Sequence, residues 1–570
     1  MEIRNCKNCK QDFQIEPEDF NFYEKIKVPP PTFCPDCRFQ RRTSWRNDWH
    51  LFKKKDARTG QMIFSIFPEE SPVKIYDRDY WWSDDWNPMD YGRDYDFSRP
   101  FFEQFNDLLY SVPLPAHSMT FVTNCHYCTN ANNIKNCYFS RGIAYTEDSA
   151  YLVWDQGSKN CLDSHMTNGC ELSYGNVNTT NCYKTFFSVD CESSQEMILC
   201  KDCVGCTSCV ASTGLRNKSY CIFNQEYSKE EYIKKLAEMN LGSYQAFKAL
   251  QGKAYEHWLE YPQKFMRSRQ NVNVTGDYIY ESKNAKNCYR VREVEDSKFV
   301  QNILSGPVKD CFDYTNWGDN AELIYESLIV GDGAYNIKFC LQTYNNVKNA
   351  TYSVFCHGSS DIFGCVSLRK KQYCILNKQY TKEEYEKILP KIIEHMKTTR
   401  EYGEFFPTSI SCFPYQITQA QEFFPLREKE ARAKGFLWYE IAKQSYKMTL
   451  KNEDLSDDIM DIGEKILDQV IECVHRGSCD HECTGAFRII AMELSFCQRM
   501  NIPLPRSCPN CRHYERLMLR NSPGLFDGAC MCDKEGHGHS SKCQNEFKTS
   551  YAPEKPEKVY CESCYNKEVY

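Results

Sequence analysis

Four cysteines near the start of the chain, Cys6, Cys9, Cys34 and Cys37, form two Cys-x2-Cys knuckles separated by twenty-four residues. Knuckles paired in this way aim four thiolates at one tetrahedral ion, the plan of a zinc ribbon. Near the other end Cys479, Cys483, Cys508 and Cys511 repeat the plan, with x3 in the first knuckle and the same twenty-four-residue interval. An offset of 474 residues also superimposes Phe13 on Phe487, Ile15 on Ile489, Phe22 on Phe496, Pro29 on Pro503, Pro31 on Pro505, Arg42 on Arg516 and Arg46-Asn47 on Arg520-Asn521. A third set follows in Cys543, Cys561 and Cys564, whose fourth ligand is to be drawn from Cys530, Cys532 and His539, in that order of preference. Each set offers four protein ligands and reserves no position for water, so structural zinc is expected rather than catalytic zinc, about three ions in all.

The elements that hold these sets must belong to several domains, because 570 residues exceed what one hydrophobic core supports. A formal charge of -7 argues against a generally polyanion-binding protein. The N-terminus has no apolar leader region and no stretch is long and apolar enough to span a membrane, so a cytoplasmic protein without membrane association is expected. In that compartment the thirty-four cysteines read as metal ligands and free thiols, not as a disulfide framework.

Between the ribbons a short phrase recurs: Asn136-Cys137-Tyr138, Asn160-Cys161-Leu162, Asn181-Cys182-Tyr183 and Asp202-Cys203-Val204, then Asn287-Cys288-Tyr289, Asp310-Cys311-Phe312 and Asn349-Ala350-Thr351. Its intervals, mostly about 18 to 24 residues, suggest one coil of a β-solenoid per phrase. Cysteine or alanine would line a narrow interior, and the Asn or Asp before it would make a bend in the left-handed region. Cys200, Cys203, Cys206 and Cys209 could form a further metal site, although ladder packing is the simpler reading because they keep the repeat's phase. Both runs end alike, at Tyr220-Cys221-Ile222 and Tyr373-Cys374-Ile375, followed by the capping boxes Ser228/Glu231 and Thr381/Glu384 of helices that would close each stack. Farther on, Ile459, Ile462, Ile466, Leu467 and Val470 keep helical spacing.

The segment after each ribbon is basic and aromatic. Arg38, Arg41, Arg42 and Arg46 after the first, and Arg512, Arg516 and Arg520 after the second, are the candidates for binding RNA or DNA. The competing reading is an internal clamp on the acidic, aromatic stretch 69–107.

The expected division is a first zinc ribbon at 1–60, an aromatic-acidic linker at 61–117, a β-solenoid-like run at 118–227 with a helical cap at 228–270, and a second run at 271–380. A second helical cap with a Pro-rich connector follows at 381–470, then the second ribbon at 471–522 and a zinc-binding module at 523–570. The fold class is mixed and mainly β. The phrases Val28-Pro-Pro-Pro-Thr-Phe-Cys-Pro-Asp-Cys-Arg, Tyr80-Trp-Trp-Ser-Asp-Asp-Trp, Tyr91-Gly-Arg-Asp-Tyr-Asp-Phe and Val559-Tyr-Cys-Glu-Ser-Cys-Tyr, together with the Asn-Cys-Tyr repeats, resemble a family of multi-zinc-ribbon proteins from genomes of uncultured bacteria. The resemblance implies zinc at both ends and brings no activity with it. Relatives of that kind carry a plain Cys-x2-Cys before Thr549-Ser550-Tyr551, where this chain inserts residues 533–542.

No phosphate loop, serine-hydrolase elbow or His-Glu-x-x-His helix is present. The expectation is a non-enzymatic zinc scaffold that binds a macromolecule, nucleic acid first and protein second. The alternatives are a carbohydrate-active site on Asp310, Asp313, Asp319, Glu322 and Asp332, or a structural assembly protein.

Overall fold

The computed structural model describes residues 1–303, 308–309, 312–313, 315, 321–331, 333, 337–339, 341–344, 347–440, 446–521 and 523–569. Among them the chain is mixed α/β, with twelve α-helices, many small sheets and no closed barrel.

From Phe121 to Phe223 every third residue has a positive φ, between 45° and 71°. Only glycine, asparagine and aspartate adopt such backbone readily, which explains their frequency in this stretch. The residue before each recurring cysteine is one of these positions: Asn136 at 53°, Asn160 at 51°, Asn181 at 51° and Asp202 at 54°. The next residue turns inward, so Cys137, Cys161, Cys182 and Cys203 are buried. The residue after that forms a parallel bridge, as in Tyr138↔Ala150, Leu162↔Tyr174 and Tyr183↔Gln195. Bridged partners are twelve residues apart throughout this run, so a rung is twelve residues long. The expected interval of about 18 to 24 residues is therefore corrected: Cys137 to Cys161 spans two rungs.

Where the backbone N–H of the inward residue meets no rung carbonyl, a side chain has to satisfy it. Serine does this from the rung before. Ser149 Oγ accepts from Cys161 N at 3.0 Å, Ser188 Oγ from Cys200 N at 3.0 Å and Ser194 Oγ from Cys206 N at 3.1 Å. The serine and cysteine side chains in turn donate to the carbonyl two residues back, as Ser188 does to Phe186 O at 3.1 Å and Cys200 to Ile198 O at 3.4 Å. Small side chains that both donate and accept thus fill a column too narrow for larger ones. Ser188→Ala should leave the Cys200 N–H unpaired and cost about 1–3 kcal/mol, measured as a drop in thermal stability. Ser188→Cys should recover part of the loss.

A second stack runs through Ser268–Arg269, Gly276–Tyr280, Cys288–Arg292 and Gln301–Ile303, also in parallel. Its spacing is twelve at Tyr289↔Gln301, widens to fourteen at Gln301↔Thr315 and thirteen at Leu328↔Leu341, and returns to twelve at Ser360↔Gln372. Both stacks close with a short antiparallel return, Ser219–Ile222 with Gln225–Glu226 and Gln372–Ile375 with Lys378–Gln379. The capping boxes at Ser228 and Thr381 then open helices Lys229–Glu238 and Lys382–Thr398. Of the phrase Asp310-Cys311-Phe312, only Phe312 lies within the described residues.

Two large apolar cores result, and they exchange the ends of the chain. One joins Phe22 and Tyr23 of the N-terminal hairpin module with Phe312, Tyr325 and Tyr352 of the second stack. The other joins Tyr174, Phe186 and Ile198 of the first stack with Phe487, Phe496 and Cys497 near the C-terminus. The stretch 61–117 is packed and does not behave as a free linker: Trp81, Phe101, Phe105 and Leu108 are fully buried in the first of these cores. It also seals the end of the second stack, where a Cβ on Gly92 would come within 2.6 Å of Asn377 O. At 459–470 the helical spacing is realised only as 3-10 turns, Ile459–Asp461 and Glu464–Asp468, with Gly463 between them as the break.

Candidate metal centres

Each of the three cysteine sets is built on one local plan. An antiparallel hairpin places a cysteine directly after its first strand: Cys6 after Glu2–Asn5, Cys473 after Ile471–Glu472 and Cys530 after Phe526–Ala529. A second cysteine precedes the return strand, and a Cys-x2-Cys pair then opens a helix, Pro35–Thr43, Pro509–Met518 or Glu562–Val569. Proline at the first helical position of the first two needs no N–H there, and the helix N-terminus favours thiolate. One hydrogen bond repeats in all three: the backbone N–H of Cys34, Cys508 and Cys561 donates to the sulfur of Cys6, Cys473 and Cys530, at 3.3, 3.2 and 3.2 Å.

The sulfurs converge accordingly. Cys6, Cys9, Cys34 and Cys37 form one group, Cys473, Cys483, Cys508 and Cys511 a second, and Cys530, Cys543, Cys561 and Cys564 a third, each with its ligand atoms within 4.8 Å of one another. Individual pairs stand at 3.7 Å for Cys9 and Cys34, 3.5 Å for Cys508 and Cys511, and 4.0 Å for Cys543 and Cys561. The edge of a tetrahedron with zinc–sulfur bonds of about 2.3 Å is about 3.8 Å, so these groups can hold a metal ion. Burial opposes ionisation of Cys6, but the backbone N–H groups of Cys34, Cys9 and Asn8 outweigh it and bring the thiol down to about 7. Cys561 is likewise brought down to about 7, with burial opposed by Asn545 and the Cys564 backbone.

The second group differs from the expected one at a single position. Cys473 fills the place assigned to Cys479, because the strand register sets the first ligand: Glu472↔Ala486 corresponds to Asn5↔Asp12. Residues 474–482 are an insertion inside the knuckle, and Cys479 lies in it. The signal was present in sequence, since the offset of 474 holds only after the knuckle and Ile-x-Cys at 471–473 lies outside it. In the third group Cys530 takes the fourth place. Cys532 and His539 form a separate group with Cys564. Cys200, Cys203, Cys206 and Cys209 are interior residues of the rungs, each donating to the carbonyl two residues back at 3.4–3.5 Å.

The seven arginines proposed for nucleic acid point inward. Arg38 and Arg42 both reach Asp313, Arg41 reaches Glu326 at 2.6 Å and Glu404 at 3.2 Å, and Arg46 binds both oxygens of Asp48. In the matching ribbon Arg512 meets Glu493 at 2.5 Å and Asp163 at 3.3 Å, Arg516 meets Asp163 at 2.6 Å and Arg520 meets Glu422 at 3.5 Å. Side-chain exposure of these arginines is 10% or less, so in the folded chain they are spent on carboxylates and not available to phosphates. The clamp reading is nearer the mark, but its partners are mainly stack carboxylates and not the stretch 69–107. Burial pushes the Glu326 carboxyl up against the pull of Arg41 and Arg42, whereas the half-buried Glu404 is held below its usual range by Arg41 and Thr32.

Of the carboxylates considered for carbohydrate chemistry, Asp310, Asp319 and Asp332 lie outside the described residues. Asp313 is committed to Arg38 and Arg42, and Glu322 is exposed. The ribbons also meet across the cores: Trp49 stacks on His513 at 4.0 Å and donates to Asn510 Oδ1 at 2.8 Å, and His50 pairs with Glu482.

No family model matches the chain, and no curated protein is similar to it. The likeness to zinc-ribbon proteins therefore rests on the cysteine clusters alone. No helix among the described residues is long and apolar enough to cross a membrane.

Proposed function

We propose that the protein is a non-enzymatic, cytoplasmic scaffold whose three four-cysteine centres bind structural zinc and whose two runs are β-solenoids presenting a surface to a macromolecular partner. The observation that carries this reading is the direction of the cysteine-bearing helices. Both ribbon helices turn their charged residues onto a stack, Arg38 and Arg42 to Asp313 and Arg512 and Arg516 to Asp163. Zinc in such a position stiffens a docking element and has no open coordination site for chemistry.

A protein is the partner we favour over nucleic acid. The outer column of the first stack alternates charge, with Lys159 3.6 Å from Glu147, and beside it Asn124, Asn136 and Asp148 form a hydrogen-bonded ladder at 2.9 and 2.7 Å. Exposed rings, Phe121 at 77% and Tyr145 at 59%, add apolar contacts. Such a mixed surface suits a protein better than a polyanion. Pull-down from native extract with the full chain should recover a protein that Phe121→Ser/Tyr145→Ser releases. Salt-sensitive binding of RNA or DNA at physiological ionic strength would replace the protein partner with nucleic acid, and turnover of a polysaccharide would overturn the scaffold reading.

A further inference from the structure

The insertions that lengthen two of the three first knuckles each carry metal-ligating side chains of their own. In the second ribbon the inserted loop 474–482 brings His475, Cys479 and His481 to Cys511, with all ligand atoms within 4.8 Å. Cys511 is at the same time a member of the Cys473, Cys483, Cys508 group. We propose that this ribbon holds two metal ions, the second bound by His475, Cys479 and His481 and joined to the first through a bridging Cys511 thiolate. The proposal rests on the reading that the tetrads bind zinc.

Several independent observations point the same way. Cys479 Sγ stands 3.6 Å from Cys511 Sγ, as close as the 3.5 Å between Cys508 and Cys511 inside the tetrad. Two imidazoles and two thiolates complete a tetrahedron suited to zinc, which takes both ligand types. Nδ1 of His475 and Nδ1 of His481 are both buried and have no hydrogen-bond partner among the described residues. Buried imidazole nitrogens are normally paired, and an ion would supply the missing partner for such a ring.

The loop is also held in place. Ser478 Oγ donates to His475 O at 2.6 Å, and His481 lies parallel to Tyr514 at 4°. Glu482 ties its far end, accepting from Asn510 Nδ2 through its carbonyl at 2.9 Å and pairing with His50 through its carboxylate. Cys511 sits in the first turn of helix Pro509–Met518, where the peptide dipoles favour a thiolate that serves two cations. A closed zinc centre of four thiolates carries net negative charge, and a second divalent ion beside it lowers that charge in a partly buried place. The C-terminal module shows the same relation: its lengthened knuckle brings Cys532 and His539 to Cys564, the counterpart of Cys511. The N-terminal ribbon, whose knuckle has no insertion, has only its tetrad among the described residues.

The test uses the full chain loaded with zinc for native mass spectrometry and with cadmium-113 for NMR. Wild type should hold at least one ion more than the tetrads account for. His475→Ala/His481→Ala should lose one ion while the thermal unfolding transition remains cooperative, and Cys479→Ser should do the same. Two cadmium resonances from this ribbon should show mutual coupling through the shared sulfur, with the nitrogen-ligated one absent in the histidine variant. A count of three ions that the histidine variant leaves unchanged overturns the second site and leaves the tetrads standing. Loss of one ion without cadmium coupling in wild type overturns the bridge. A chain that takes up no ion overturns the tetrad reading and this proposal with it.

Discussion

Removing the metal with a strong chelator should release both ends of the chain from the stacks. Structural zinc in ribbon-sized modules is worth about 10–16 kcal/mol of folding free energy, as much as the whole stability of an ordinary domain, about 5–15 kcal/mol. The hairpins around Cys6, Cys473 and Cys530 have short strands, two to four residues long, and so few ladder hydrogen bonds of their own. Hydrogen exchange should therefore lose protection at 2–43, 471–518 and 526–569 first. Because Phe22 and Phe496 belong to the two large cores, release should also expose apolar surface on each stack, visible as dye binding or self-association. The rungs from His126 to Ile222 should keep their protection longest, since their bonds run between neighbouring rungs. Unchanged protection at Pro35–Thr43 and Pro509–Met518 after verified metal loss would remove zinc from the account of stability.

Asp163→Ala should be among the most damaging single changes outside the cysteines. The carboxylate is 2% exposed and stands between Arg512 and Arg516, both 5% exposed, so its loss strands the buried Arg516 and leaves Arg512 with Glu493 alone. Breaking one buried ion pair costs about 3–5 kcal/mol, and the expected drop is at least that large. Asp313→Ala should do the same through Arg38 and Arg42. Urea unfolding followed by tryptophan fluorescence measures both. Replacing Asp313 together with Arg38 and Arg42 by apolar residues should restore most of the loss, because Glu326 keeps Arg41 and no charge is then left unpaired; in the Asp163 set Glu493, the partner of Arg512, has to be replaced as well. A drop below about 1 kcal/mol in the single variants, on the order of an exposed pair, would show that water reaches these arginines.

The knuckles were legible because Cys-x2-Cys spacing is local chemistry: the residues that bind stand next to each other. Cys473 was hidden because its membership depends on strand pairing, and the loop 474–482 separates it from Cys483 where the first knuckle has two residues. The arginines illustrate the same limit from the other side. Arg38, Arg41 and Arg42 read as a basic surface when only neighbours in sequence are considered, and their partners Asp313, Glu326 and Glu404 lie hundreds of residues away. The repeat was legible as a repeat and not in its pitch of twelve. The Asn-Cys phrase marks only some rungs, whereas the full signal is a small residue, Cys, Ser, Thr or Ala, at most third positions from Cys125 to Cys221.

The crossed docking of the ribbons also has a temporal consequence. Asp163 is synthesised long before Arg512 and Arg516, and the N-terminal ribbon waits as long for Phe312 and Asp313. Neither core can close until its remote part has been made, residues 312–417 for one and 455–511 for the other, so the growing chain carries two half-built units that need each other's remote ends. Once closed, the arrangement is a mutual latch. A protease that nicks the connection between the two stacks would yield two fragments that stay together, each gripping the other by the end it received in exchange.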